Sequence, residues 1–205
     1  MSTQAITGKT VLVTGANRGL GRALVEEALR RGAARVYAAS RQPLAHPDER
    51  VTPVIIDVTD PAQIRTAVQR VQSLDILINN AGISVPDDLS ERSALERHLA
   101  VNLYGTLDVT TAFLPAVTER RGRIVNVISV AAIAGVPVLP AYSVSKAALL
   151  SLTQSLRALV AREGVTVQAV MPGPIDTDMV RDLPVPKTAP ESVARDMFDG
   201  IEHST

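Results

Sequence analysis

The chain contains no cysteine. Disulfides, thiolate catalysis and Cys-ligated metal are therefore excluded, and a reducing compartment suits the sequence. Aromatic residues are scarce, with no Trp, three Tyr and two Phe, so a core has to be built from Val, Ile, Leu and Ala. Neither sign of charge is in excess: 21 Lys plus Arg balance 21 Asp plus Glu. That balance gives no electrostatic reason to expect nucleic acid or an anionic membrane as partner. No apolar run reaches the roughly 18 residues a membrane-spanning helix needs. The most apolar stretch, Val127 to Tyr142, is interrupted by Gly135, Pro137 and Pro140. Residues Met1 to Lys9 are polar and lack the apolar core of a signal peptide. The three histidines, His46, His98 and His203, are scattered without a second ligand at helical spacing, so no metal site is expected. A soluble, cytoplasmic protein is expected.

What the chain does have is 46% hydrophobic residues in a length of 205, which suits one α/β domain over the whole chain, residues 1–205. Short β-branched runs alternate with longer Ala/Leu/Arg/Glu segments. Strands are predicted at Thr10 to Thr14, Arg35 to Ala39, Val51 to Ile56, Leu74 to Ile78, Arg123 to Ile128 and Val165 to Val170. Helices are predicted at Gly19 to Arg31, from Asp60 and Pro61 onward, through most of Ser90 to Val117, at Ala141 to Arg162 and at Pro190 to Ile201. Strand–helix alternation with near-continuous apolar strands predicts a doubly wound parallel sheet, a Rossmann fold, covered by helices on both faces. Such sheets bind ligands beyond the carboxyl ends of their strands.

The residues after those strands carry the chemistry. After the first strand comes Thr14-Gly15-Ala16-Asn17-Arg18-Gly19-Leu20-Gly21, leading into a helix. Glycines let a backbone approach a pyrophosphate, and the helix N-terminus offers free N–H groups and partial positive charge. Tyr142 and Lys146 stand four apart at the start of a predicted helix and share a face. A tyrosine working as acid or base near neutrality needs its pKa lowered, and a neighbouring ammonium favours the phenolate. Ser129, at the end of the fifth strand, can donate a hydrogen bond to a substrate oxygen.

Read together, these residues with Asn79-Asn80-Ala81-Gly82, Asn102 and Pro172-Gly173 resemble the classical short-chain dehydrogenase/reductase family, from about Lys9 to Met179. The glycine spacing is similar to that family's T-G-x-x-x-G-x-G. The resemblance implies hydride transfer between a nicotinamide and a small-molecule carbonyl or alcohol substrate. It implies Tyr142 as general acid in reduction and base in oxidation. Lys146 would hold the nicotinamide ribose and lower the Tyr142 pKa, Ser129 would orient the carbonyl, and Asn102 would hold a water in the proton relay. Gly15, Asn17, Arg18, Gly19, Leu20 and Gly21 would cradle the pyrophosphate. Asp57 and Val58 would grip the adenine, and Asn79, Ala81 and Gly82 would line the adenosine side and brace the central sheet. Pro172, Gly173, Ile175 and Thr177 would hold the carboxamide. Asn80 is read as purely structural.

Cofactor choice turns on the end of strand two, where an acidic residue would bind the ribose 2′-hydroxyl. Here Ser40 and Arg41 occupy that place, and Arg18 lies in the glycine turn. Two guanidinium groups suit a 2′-phosphate, so NADP(H) is expected; the alternative is that both are solvated surface charges. A non-catalytic NADP(H)-binding sensor or scaffold stands as the second functional reading. Residues Ile175 to Ala189, where the family's substrate lid sits, are short and hold few large side chains. The family's seventh strand has no counterpart, so strand six is expected to be an exposed sheet edge, either because the chain is a shortened form of a longer protein or because another segment covers it. A homodimer through the helices carrying Asn102 and Tyr142 is expected, with a tetramer as the larger alternative.

Overall fold

Val11, Leu12 and Val13 are all fully buried, although neighbouring side chains along a strand face opposite ways. Both faces of the sheet must therefore be covered. In the computed structural model, which describes residues 6–203, β1 (Thr10–Thr14), β2 (Arg35–Ser40), β3 (Val51–Ile55), β4 (Ile76–Asn79), β5 (Arg123–Val127) and β6 (Thr166–Val170) form one sheet in the order β3-β2-β1-β4-β5-β6. Every pairing is parallel. The order runs one way from β1 through β2 to β3 and the other way from β4. A crevice opens at that switch point, between the ends of β1 and β4.

Val11, Val13, Val36 and Ile78 point to one layer, closed by α1 (Gly19–Arg30) and α6 (Pro190–His203). Leu12, Tyr37, Leu77 and Ile124 point to the other, closed by α2 (Pro61–Arg70), α4 (Thr106–Glu119) and α5 (Pro140–Val160). The two phenylalanines are both fully buried, Phe198 in the first layer and Phe113 in the second. Asp60 caps α2 as its position ahead of Pro61 suggests, accepting the N–H groups of Ala62 at 2.8 Å and Gln63 at 3.2 Å. Pro53 lies in β3, an edge strand where its missing N–H costs no ladder bond.

Most boundaries fall within one or two residues of expectation, and three departures stand out. Strand four starts at Ile76, and the preceding Asp75 accepts the Thr10 N–H on its carboxylate at 2.9 Å, tying the strand entrance to β1. The long segment expected to be mostly helical divides into α3 (Arg92–Leu99), a π-helical stretch Ala100–Gly105, and α4. Helix α5 begins one residue early, on Pro140 at its N1 position, and ends at Val160. Among the described residues β6 pairs only with β5.

Candidate active site

The strands end together, and their following loops enclose a cleft of about 780 Å³. In the glycine turn, a Cβ on Gly21 would lie 2.0 Å from the Gly15 carbonyl oxygen, so the turn closes only without a side chain there. Gly19, at φ +51°, faces Thr177, whose methyl would lie 3.0 Å from a Cβ. The turn thus packs directly against the loop after β6. Asn17, Arg18 and Leu20 complete this wall.

On the same side, Ser40 and Arg41 follow β2, and Asp57 and Val58 come just after β3; all four line the cleft. The Ser40 hydroxyl turns inward to the Gln42 carbonyl at 2.5 Å. The backbone N–H and hydroxyl of Thr59 hold the Asp57 carboxyl below its usual range, with the Arg41 charge adding to the effect. Arg18 is not free beside Arg41. Its guanidinium donates to Asp178 at 2.9 Å, and Arg181 binds the same carboxylate.

Ala81 and Gly82 line the cleft, but Asn79 does not. Asn79 is buried beneath it, donating to Thr110 and to Asn126, each at 2.9 Å; Asn126 donates onward to Thr153 at 2.9 Å. This polar chain stitches β4 and β5 to α4 and α5. The neighbour read as merely structural, Asn80, reaches the cleft wall instead and donates to the Thr14 carbonyl at 2.8 Å. The Thr14 hydroxyl, not anticipated as part of the site, accepts the N–H groups of Asn80 and Ala81 at 3.0 Å each. The loops after β1 and β4 are thereby locked side by side. Pro172, Gly173, Ile175 and Thr177 line the far wall after β6.

Ser129, Tyr142 and Lys146 converge at the other end. Lys146 is buried, and its Nζ donates to the Val127 carbonyl at 3.0 Å. Loss of water around it brings its pKa down to about 8. Nζ lies 5.6 Å from the centre of the Tyr142 ring. The sequence argument asks for a lowered phenol pKa; in the structure burial pushes it up, opposed by a hydrogen bond with Ser129. The lysine ammonium is directed at a backbone carbonyl rather than at the phenol oxygen.

Asn102 is fully buried in the π-helical stretch. Its side chain does not face the cleft. Oδ1 accepts the Ile83 N–H at 2.8 Å, and Nδ2 donates to the Ile83 carbonyl at 3.0 Å and to Ser145 at 2.9 Å. Ser145 donates in turn to the Tyr142 carbonyl at 2.7 Å. The side chain expected to hold a water is therefore occupied in fastening the loop after β4 to the turn that carries Tyr142. Two more residues, neither expected in the site, act on this turn. Asp87 accepts the Ala141 N–H, its oxygens at 3.3 and 3.4 Å. His98 is buried with its ring edge toward Tyr142, centroids 6.4 Å apart at 70°. Its Nε2 accepts the Val85 N–H at 3.1 Å, which makes Nδ1 the donor to the Ala94 carbonyl at 2.7 Å.

Residues 9–187 match the family model described as short chain dehydrogenase. The chain is 34% identical over 213 residues to the Escherichia coli oxidoreductase UcpA, a match covering 96% of this chain and 81% of that one. It is 35% identical over 189 residues to the Escherichia coli 3-oxoacyl-[acyl-carrier-protein] reductase FabG, covering 86% of this chain and 77% of the other. Its fold is similar, with a TM-score of 0.93 and 39% identity, to the crystal structure of a short chain dehydrogenase from Burkholderia cenocepacia in complex with NADP, covering 98% of this chain and 87% of that chain.

Proposed function

The chain belongs to the short chain dehydrogenase family, and we propose that it is an NADP(H)-dependent oxidoreductase interconverting a carbonyl compound and its alcohol. The observation that carries this reading is the convergence of Ser129, Tyr142 and a buried Lys146 at one end of a cleft whose other end is a side-chain-free glycine turn. The side-chain-free turn through Gly19 and Gly21 lines the cleft, and the helix α1 N-terminus would supply N–H groups to a pyrophosphate there. Arg41, with no acid beside it at the end of β2, suits the 2′-phosphate of NADP.

When bound, the nicotinamide supplies hydride in reduction and accepts it in oxidation. In reduction Tyr142 donates its proton to the substrate oxygen while the Ser129 hydroxyl orients that oxygen; in oxidation the Tyr142 phenolate removes the proton. Lys146, held against the Val127 carbonyl beside the Tyr142 ring, would hold the nicotinamide ribose. Asn102, through Ser145, keeps the Tyr142 turn in place, a positioning role rather than contact with the reacting atoms. The chain acts as one cofactor-binding and catalytic domain, in the cytoplasm, as a homodimer through the helices bearing Asn102 and Tyr142. Tyr104, Val144 and Leu159, apolar and exposed on that segment and on α5, support the dimer; sedimentation giving a monomer at micromolar concentration overturns it.

The deciding experiment follows NADPH and NADH consumption against a panel of aldehydes and ketones, with Tyr142→Phe alongside. Turnover with NADPH that disappears in Tyr142→Phe is expected. Turnover unchanged in that variant, or none with any substrate, overturns the proposal.

A further inference from the structure

Five charged side chains line the cleft: Arg18, Arg41, Asp57, Lys146 and Asp178. Their positions divide it unevenly. Arg18, Arg41 and Asp57 belong to the glycine-turn side. Asp178 lies where that side meets the loop after β6 and is bonded to both Arg18 and Arg181. Beyond Ser129 and Tyr142, the wall is made by Ile83, Val136, Leu139, Met179, Leu183 and Val185. The loop contributing the last three is closed at its base, with the Asp176 N–H bonded to the Thr188 carbonyl and the Thr188 N–H to the Pro174 carbonyl, each at 2.9 Å. Apolar side chains continue outward on the same connections: Ile133 is 72% exposed and Val138 52%.

The charged and imidazole groups near this half that could receive an anion are already engaged, and Ser84 adds only a neutral hydroxyl to the lining. Lys146 is buried against the Val127 carbonyl. His98 has both ring nitrogens bonded to backbone, so it presents no free N–H. The N-terminus of α5, which would otherwise attract negative charge, is closed by the Asp87 carboxylate. A substrate carboxylate or phosphate there would lose water and meet apolar groups, a few neutral hydroxyls or another carboxylate, with no free cation, which is strongly unfavourable.

From this we infer that the substrate is a neutral carbonyl compound, or the matching alcohol, whose body is apolar, and that anionic substrates are rejected. The inference rests on the oxidoreductase reading above. In that reaction the C=O bond becomes CH–OH, the carbon taking hydride from the reduced nicotinamide and the oxygen taking the Tyr142 proton, while the nicotinamide is oxidised.

The test compares alkyl 2-oxo esters with their free 2-oxo acids at fixed NADPH, since the pair shares one reacting carbonyl and differs in charge. The ester is expected to exceed the acid in kcat/KM by about 100-fold or more. Lengthening the alkyl chain should raise kcat/KM about threefold per methylene until the wall is filled. Leu183→Arg should narrow the ester-to-acid ratio by improving the acid. Calorimetry with a long alkyl amide and the matching carboxylate, which do not react, separates the two readings. Preference for the amide without turnover of any carbonyl supports the apolar assignment and overturns the oxidoreductase reading. Equal or better use of the acids, or equal binding of amide and carboxylate, overturns the apolar assignment itself.

Discussion

At the Tyr142 end of the cleft, Lys146, Asn102, Asn79, Asn126 and Thr153 are all buried, and each is bonded to a fixed protein partner. At the Arg18 end, the Arg18–Asp178–Arg181 group is exposed, with side chains 49–72% accessible. Buried hydrogen-bonded networks hold one geometry because breaking a bond there is costly, even though the Asn79 Oδ1 of this one has no partner among the described residues. Exposed ion pairs are worth little and exchange readily. The groups proposed here to serve proton transfer, and those packed beneath them, are thus held rigidly. The groups that would meet a cofactor phosphate are held by contacts they can trade.

The sharpest way to break this contrast is Tyr142→Phe. Loss of the acid should lower turnover on the order of 10²–10⁴-fold while NADPH binding, read by fluorescence, stays close to that of the parent. Activity within tenfold of the parent would remove Tyr142 from the chemistry.

Lys146→Met should abolish most turnover and, unusually for an active-site change, stabilise the protein. A lysine whose pKa falls to about 8 from 10.5 on folding carries a penalty for its charge. After allowance for the lost Val127 bond, relief of that penalty leaves a gain on the order of 1–2 kcal/mol at pH 7. The sign follows from proton uptake. Between pH 8 and 10.5 the unfolded chain binds more protons than the folded one, so parent stability from this group rises with pH. The gain should therefore be full below pH 8 and fade toward pH 10.5; thermal melts across that range measure it. A gain that is constant with pH would mean the lysine is not carrying the penalty.

Smaller effects are expected at the exposed end. Arg41→Ala should weaken NADPH roughly five- to a hundredfold and leave NADH nearly unchanged. Asp178→Asn should tighten NADPH about two- to fivefold by releasing Arg18, again without effect on NADH. Equal changes for both cofactors would show that these charges do not see the 2′-phosphate.

Much of the fold was legible because its signals are local: apolar strands, glycines after β1, Asp60-Pro61 at a helix start, and Tyr142 one turn before Lys146. What the sequence hid depended on direction or on distant partners. Asn79 and Asn80 are adjacent, and successive strand residues face opposite sides, so position alone did not say which one turns to the cleft. Arg18 meets Asp178 across 160 positions. His98 was set aside for lack of a second metal ligand, whereas its partners are backbone groups of Val85 and Ala94. The fastening role of Asn102 could not be seen either, since it needs the loop after β4 folded against its own helix.

The π-helical stretch Ala100–Gly105 also bears on which insertions and deletions the chain can tolerate. A wide turn of this kind accommodates one residue more than an α-helical path would use. Deleting a single residue there would restore a regular helix from α3 into α4, a locally favourable repair. Each residue of helix advances the side chains by roughly 100°. Wound as a regular α-helix with no residue removed, the same stretch would rotate α4 out of register with α3, turning Thr110 away from Asn79 and Phe113 away from its core layer. The local imperfection keeps two halves of one helix in phase with different neighbours.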